Sequence, residues 1–246
     1  MKKNLISKVL TETLGVIYPE NLYCMACGDT IEAATRIHGL CDSCIAKTDW
    51  NIENPYEEVM DDFAFDSLWT CSRYGFYMRK IMNGLKLGAK TYYARSLGLL
   101  LAERVLQGCE EEGIYPEDFS MAVPVPMSPA KFAQRGYNQA ELLARQVCAE
   151  LDLPLNTKIL YKIRETPSMR FSDGQTRRTA LSGAFAVKRT EKPDVTLPIS
   201  GCRVLLVDDV STTGSTFDAC ARALKDAGAS QVTCLCVATV GEVKST

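Results

Sequence analysis

Two short stretches of this chain hold residues whose chemistry is out of proportion to their surroundings. In RVLLVDDVSTTGST, Arg203 to Thr216, four apolar residues run into two acids and then into a cluster of hydroxyls and glycine. The run Val204–Val207 is expected to be a buried strand that delivers Asp208 and Asp209 at its carboxyl end, where open parallel sheets bind ligands. Ser211, Thr212, Thr213, Gly214, Ser215 and Thr216 then lead into a helix starting near Ser215, so main-chain N–H groups and hydroxyls face the positive end of a helix dipole. That is a phosphate cradle, because small residues let an anion approach the main chain while still offering donors. The carboxylates do not suit a phosphate; they suit neighbouring hydroxyls of a diol. Acid pair and cradle together fit a ribose 5-phosphate, whereas a plain strand-to-helix turn capped by Asp and Ser needs none of this length.

The second stretch is Cys24-x2-Cys27-x13-Cys41-x2-Cys44. Two thiolate knuckles at this spacing match a tetrahedral zinc site. Gly28 follows the first knuckle, as expected of the tight turn that points amides at sulfur. Four ligands close such a site, so it reads as structural, with the metal supplying folding energy that a small segment lacks. His38, the single histidine, reads as a surface residue rather than a ligand, and the other seven of the eleven cysteines read as small core residues.

The elements that position these groups follow from composition and periodicity. The chain has 246 residues, 46% of them hydrophobic, which is enough for a real core. A net charge of −2 excludes a globally basic nucleic-acid binder, yet Met121 to Thr190 carries 11 Lys/Arg against 5 Asp/Glu. The first residues have no small-residue cleavage site, so the cysteines are expected as thiols or metal ligands in the cytoplasm. No run approaches the ~18 consecutive apolar residues of a membrane span, and no direct membrane insertion is expected.

Leu5, Ile6, Val9, Leu10, Leu14 and Ile17 predict a short amphipathic helix stopped by Pro19. Asp49 to Asp66 has seven acids and no base, which reads as a connector or an acidic surface. FYMRKIMNGLKL, YYARSLGLLLAERVLQGC, YNQAELLARQVCAELDL and STFDACARALKDAG read as helices; MAVPVP, GAFAV, CRVLLV and QVTCLCVATV read as strands. Alternation of the two predicts an α/β domain with a largely parallel sheet over residues 67–246, preceded by a region of residues 1–66 that holds the helix, the cysteine module and the acidic stretch.

The stretch VLLVDDVSTTGST resembles the phosphoribosyl-pyrophosphate (PRPP) motif of type I phosphoribosyltransferases. VPVPMSPAKFAQRGYNQAELLA, Val123 to Ala144, resembles the diphosphate loop and the Arg-Gly-aromatic-Asn-Gln signature of the ComF competence-protein family. Members of that family also begin with a four-cysteine zinc module and carry an LK-x-x-G helix, which Leu85, Lys86 and Gly88 resemble with one residue rather than two before the glycine. The resemblance implies a type I phosphoribosyltransferase-like, mostly parallel sheet flanked by helices, with a small zinc-ribbon-like module at its N-terminal side. Arg135 suits a bidentate contact to the diphosphate, and Lys131 is either a looser point charge beside it or a solvated loop cation. Asn138 and Gln139 open the next helix, where Asn138 is as well suited to capping as to binding ligand.

The family's segment Arg-x-x-x-Thr-x-x-Gln is followed by Leu, Arg and Asn before an Ala-Phe strand. This chain keeps Arg164, Thr166, Arg177 and Phe185, with Arg164 two rather than four residues before Thr166, but has Met169 at the Gln position and Ala180 at the Asn position. The stretch corresponds to the lid of phosphoribosyltransferases. Arg164 and Arg177 are candidate contacts to diphosphate or to a nucleic-acid backbone, or members of a solvated loop.

The resemblance implies a PRPP-binding protein of the DNA-uptake machinery, with structural Zn, with Mg accompanying PRPP, and with single-stranded DNA and a helicase-like competence protein as partners. The alternative is an active Mg-dependent phosphoribosyltransferase that passes ribose 5-phosphate to a nitrogen acceptor while Asp208 and Asp209 hold the ribose. Against direct DNA contact, the sequence shows no regular interleaving of aromatic and basic residues of the kind stacking platforms use.

Overall fold

The structure, a computed structural model, describes residues 22–31, 38–50, 53–164, 181, 183–188 and 199–240. The helix expected near residues 5–17 lies outside them, as do Thr166, Met169, Arg177 and Ala180. Four parallel strands form the central sheet: β1 (Ser67–Arg73), β2 (Met121–Pro124), β5 (Arg203–Ser211) and β6 (Gln231–Thr239), in the order β1-β6-β5-β2. Beyond β2 the chain at residues 154–156 extends the edge, Ala122 N donating to Pro154 O and Asn156 N to Ala122 O. A separate antiparallel pair, β3 (Leu160–Lys162) and β4 (Phe185–Val187), flanks the segment that contains Met169 and Arg177.

The continuous apolar runs of β5 and β6 follow from burial on both faces. Leu205, Val207, Leu235 and Val237 face one core; Val204, Leu206, Val232, Cys234 and Cys236 face the other. The first core is closed by α2 (Phe76–Leu87), α3 (Tyr93–Glu112) and α5 (Gln139–Leu151). The second is closed by α6 (Ser215–Asp226) together with β3, β4, Tyr56 and Phe65. Helices α3 and α5 touch at Gly98, where an added Cβ would stand 2.2 Å from Gln146 Cβ.

The helix that follows β2 therefore packs mainly on one face and the helix that follows β5 on the other. Such a reversal opens a crevice between the carboxyl ends of neighbouring strands, here β2 and β5. The short helices α1 (Asp42–Lys47) and α4 (Pro129–Arg135) belong to the cysteine module and to the loop after β2.

Two regions add to the sequence reading. The stretch SLWTCSR is an edge strand of the sheet, β1, yet it is buried along its middle, with Thr70 and Ser72 fully buried. The acidic stretch is folded against the domain: Tyr56 OH lies 3.1 Å from Ser211 Oγ, and Ala64 N donates to Asp218 Oδ1 at 2.8 Å. Asp66 accepts from Val232 N and pairs with Lys225. Its 3-10 turn, Glu57–Asp62, keeps Glu57, Asp61 and Asp62 exposed.

Candidate functional site

β5 runs further than its apolar core suggests. Asp208 pairs with Cys236 and Ser211 with Thr239, so both acids lie within the strand and Ser211 closes it. The expectation that the strand ends at Val207 is corrected: β6 stays extended to Thr239 and offers a partner along that whole length. The connecting turn is thereby reduced to Thr212, Thr213 and Gly214, and Ser215 and Thr216 open α6. Gly214 has φ 71°, and a Cβ there would meet Phe63 at 2.8 Å, so only glycine fits both backbone and neighbour. Thr213 Oγ1 and Ser215 Oγ lie 2.8 Å apart across the mouth of the helix. The first-turn N–H groups of a helix have no intrahelical acceptor and suit an anion.

The acids are held asymmetrically. Asp209 is 7% exposed, and its Oδ1 lies 2.9 Å from Lys86 Nζ. Asp208 accepts the Asp209 amide at 2.8 Å. Burial pushes the Asp208 carboxyl up and the charge of Asp209 adds to this; the Asp209 amide, Lys86 and Lys131 pull it back, leaving it at about 7. Burial alone would lower Lys86, but the carboxylates of Asp209 and Asp208 raise it, so it stays a cation. Two adjacent carboxyls thus share one ion-paired ammonium and retain acceptor capacity.

Three distant stretches build this point. Lys86 arrives from the end of α2, and Tyr137 OH donates to Leu85 O at 2.6 Å, tying the Arg-Gly-Tyr-Asn-Gln turn to that helix. Lys131 sits on α4, which Ser128 caps by accepting from Lys131 N. Arg135 ends α4 and donates to Gln139 Oε1 at 2.6 Å. Asn138 works as the cap of α5, accepting from Ala140 N, and its Nδ2 donates to Val125 O. Arg164 is exposed just past β3, and Arg177 is outside the described residues. Lys86 is the site residue that sequence reasoning noted only as part of a motif.

Beside the carboxyl end of β2 lies a cleft of about 400 Å³, bordered by Pro126, Phe132, Asn138, Glu141, Tyr161 and Lys162 among others.

The cysteine module is drawn together as its spacing predicts: the Sγ atoms of Cys24, Cys27, Cys41 and Cys44 lie within 4.8 Å of one another and could hold a metal ion. Gly28 has φ 87°, and its N–H donates to Cys24 O. Burial pushes the Cys24 thiol up, but the amides of Cys27, Cys41 and Ala26 and the Cys27 side chain outweigh it and bring it to about 7. His38 lies outside the cluster, its Nε2 3.5 Å from Glu103 on α3. Cys24, Met25, Ile31, Leu40 and Cys44 are buried in the same core as α2 and α3, and Tyr93 OH donates to Met25 O at 3.2 Å. No helix among the described residues is long and apolar enough to cross a membrane.

The family described as phosphoribosyl transferase domain matches residues 134–245. The chain is 28% identical over 215 residues to the DNA utilization protein YhgH of Escherichia coli O157:H7, covering 87% of this chain and 83% of that one. It is 37% identical over 112 residues to competence protein F of Haemophilus influenzae, covering 45% of this chain and 46% of the relative. It is 31% identical over 115 residues to competence protein ComFC of Bacillus subtilis, covering 47% and 42%. The four-thiol cluster, ahead of a parallel sheet that ends in the acid pair and hydroxyl loop, and these relatives together support the ComF competence-protein family, with a phosphoribosyltransferase domain.

Proposed function

We propose that this protein binds PRPP at the carboxyl edge of β5 and serves DNA uptake. The observation that carries the reading is the Asp208-Asp209 pair, Asp209 buried and Asp208 half-buried, set before a hydroxyl-lined helix start. The carboxylates accept hydrogen bonds from the ribose hydroxyls. Thr212 to Thr216 and the first turn of α6 hold the 5-phosphate, while Lys131 and Arg135 face the diphosphate. The acid pair, with its surplus negative charge, also fits a hydrated Mg²⁺, which would neutralise the diphosphate when bound. Lys86, 2.9 Å from Asp209 Oδ1, orients that carboxyl so that the pair meets the sugar in one geometry.

The thiol cluster fits zinc. A tetrahedral site with Zn–S near about 2.3 Å places sulfurs about 3.8 Å apart, and Cys27 Sγ and Cys41 Sγ are separated by 3.7 Å. Its role is structural, since all four positions are protein ligands. The names of the relatives, DNA utilization and competence proteins, support the uptake role, in which single-stranded DNA and a helicase-like protein are the proposed partners.

The second reading, transfer of ribose 5-phosphate to a nitrogen acceptor, is favoured by the cleft at Phe132 and Tyr161, which has room and apolar walls for a planar acceptor. Calorimetric titration of PRPP with Mg²⁺ tests the main reading. Wild type is expected to bind, and Asp208→Asn/Asp209→Asn to lose about a hundredfold or more in affinity, from hydrogen bonds to charged groups worth about 1.5–3 kcal/mol each. Equal affinity in the two proteins would refute the site. Pyrophosphate release in the presence of nucleobases and amines separates the two readings.

A further inference from the structure

Residues 73–95, from the end of β1 through α2 into the first turn of α3, carry six Lys/Arg, five aromatic residues and no acid in a chain of net charge −2. Helix α2 spends Met78, Ile81, Met82 and Leu85 on the core. What remains for solvent is a stripe of Phe76, Arg79, Lys80, Asn83 and Leu87 at helical spacing, continued past the helix end by Lys90 and Tyr92. Phe76 and Tyr92 are 65% and 64% exposed. Cations already sit over the rings: Lys80 Nζ is 4.8 Å from the Phe76 centroid and Arg79 Cζ 5.9 Å from that of Tyr74. Lys90 Nζ is 5.3 Å from the ring of Tyr93, which meets Tyr92 edge-on at 4.9 Å. The interleaving absent as a regular sequence pattern is thus assembled by the fold.

Phe76 and Leu87 are about 16 Å apart along the helix at about 1.5 Å per residue, a span suited to a few nucleotides. The same helix carries Lys86 to Asp209, so the stripe borders the candidate ligand site.

We infer that this face binds single-stranded nucleic acid, with bases stacking on Phe76 and Tyr92 and phosphates meeting Arg79, Lys80 and Lys90. The inference rests on the DNA-uptake reading and gives it a surface. Exposed rings between cations can stack on unpaired bases, whereas a duplex hides its base faces. A membrane-surface helix would turn its apolar face outward, and that of α2 is buried.

The test is fluorescence anisotropy of a labelled oligothymidylate with the full chain, at low and moderate salt, for wild type, Phe76→Ala/Tyr92→Ala and Arg79→Glu/Lys80→Glu. The ring variant is expected to lose roughly tenfold or more in affinity. The charge variant is expected to lose affinity and flatten the salt dependence. Both should keep wild-type PRPP titrations, which also reports that they fold. An oligothymidylate that does not bind wild type, that binds both variants as tightly, or that binds less well than duplex or anionic vesicles would overturn the inference. Loss confined to these variants in a protein that takes up no PRPP would support the surface and count against the PRPP reading instead.

Discussion

The thiol cluster of residues 24–44 and the carboxyl edge of β5 both gather acidic groups into a small volume, and they settle the charge in opposite ways. At the cluster, four thiols converge, with backbone amides lowering Cys24; Cys24 and Cys44 are buried in the core of α2 and α3 while Cys27 is exposed. At β5, two carboxyls share the ammonium of Lys86, and Asp208 is left with its carboxyl raised to about 7. On the proposed reading, the first arrangement is completed by a metal that supports folding, and the second is completed by a ligand. A structural site is recognised by saturation, a binding site by acceptor capacity kept in reserve.

The largest effect that would break this contrast lies at the cluster. Cys41→Ser is expected to abolish metal content of about one per chain and to cost several kcal/mol, since metal binding in such modules is folding free energy. Because Met25 and Tyr93 join the module to α3, the loss should also loosen the corner that carries Lys86. Metal analysis with thermal melting checks this, and a serine variant that keeps its metal would remove the structural assignment.

Lys86→Met sharpens the other side. It leaves Asp209, 7% exposed, without its ammonium and should cost about 1–3 kcal/mol. Adding Asp209→Asn should recover part of that, as denaturant titration of the single and double variants would show; strictly additive costs would mean the pair is not coupled. A smaller effect is expected from Gly214→Ala, which puts a Cβ 2.8 Å from Phe63 in a left-handed backbone. About 1–2 kcal/mol is the cost of that backbone conformation for a non-glycine residue. Phe63→Ala should relieve only the steric share.

Much of this architecture was legible in the sequence because it is local. The β5 turn and α6, the knuckles, α2 and the cap at Asn138 are each encoded within a few residues. What escaped depends on distant partners. β1 reads ambiguously because Thr70 and Ser72 look polar, yet their hydroxyls are satisfied by Ser72 O and Val237 O inside the sheet. The acidic stretch looks like a linker because the acceptor of the Ala64 amide, Asp218, is 154 residues away. Lys86 looks like any helical lysine until α2 is laid across the strand ends. The aromatic and basic residues scattered over 73–95 likewise become a surface only when the helix turns its apolar face inward.

The most direct test of the central claim is thermal melting of wild type and Asp208→Asn from about pH 5 to about pH 8, with and without PRPP and Mg²⁺. A carboxyl raised in the folded state binds more protons folded than unfolded between about pH 4 and about pH 7, so its stability contribution falls as pH rises through that window. The account predicts that Asp208→Asn melts a few degrees above wild type at the alkaline end, with the gap closing toward acid, and that PRPP raises the wild-type melting point far more than the variant's. An asparagine variant that is less stable at every pH, or that gains as much from PRPP as wild type, would contradict it.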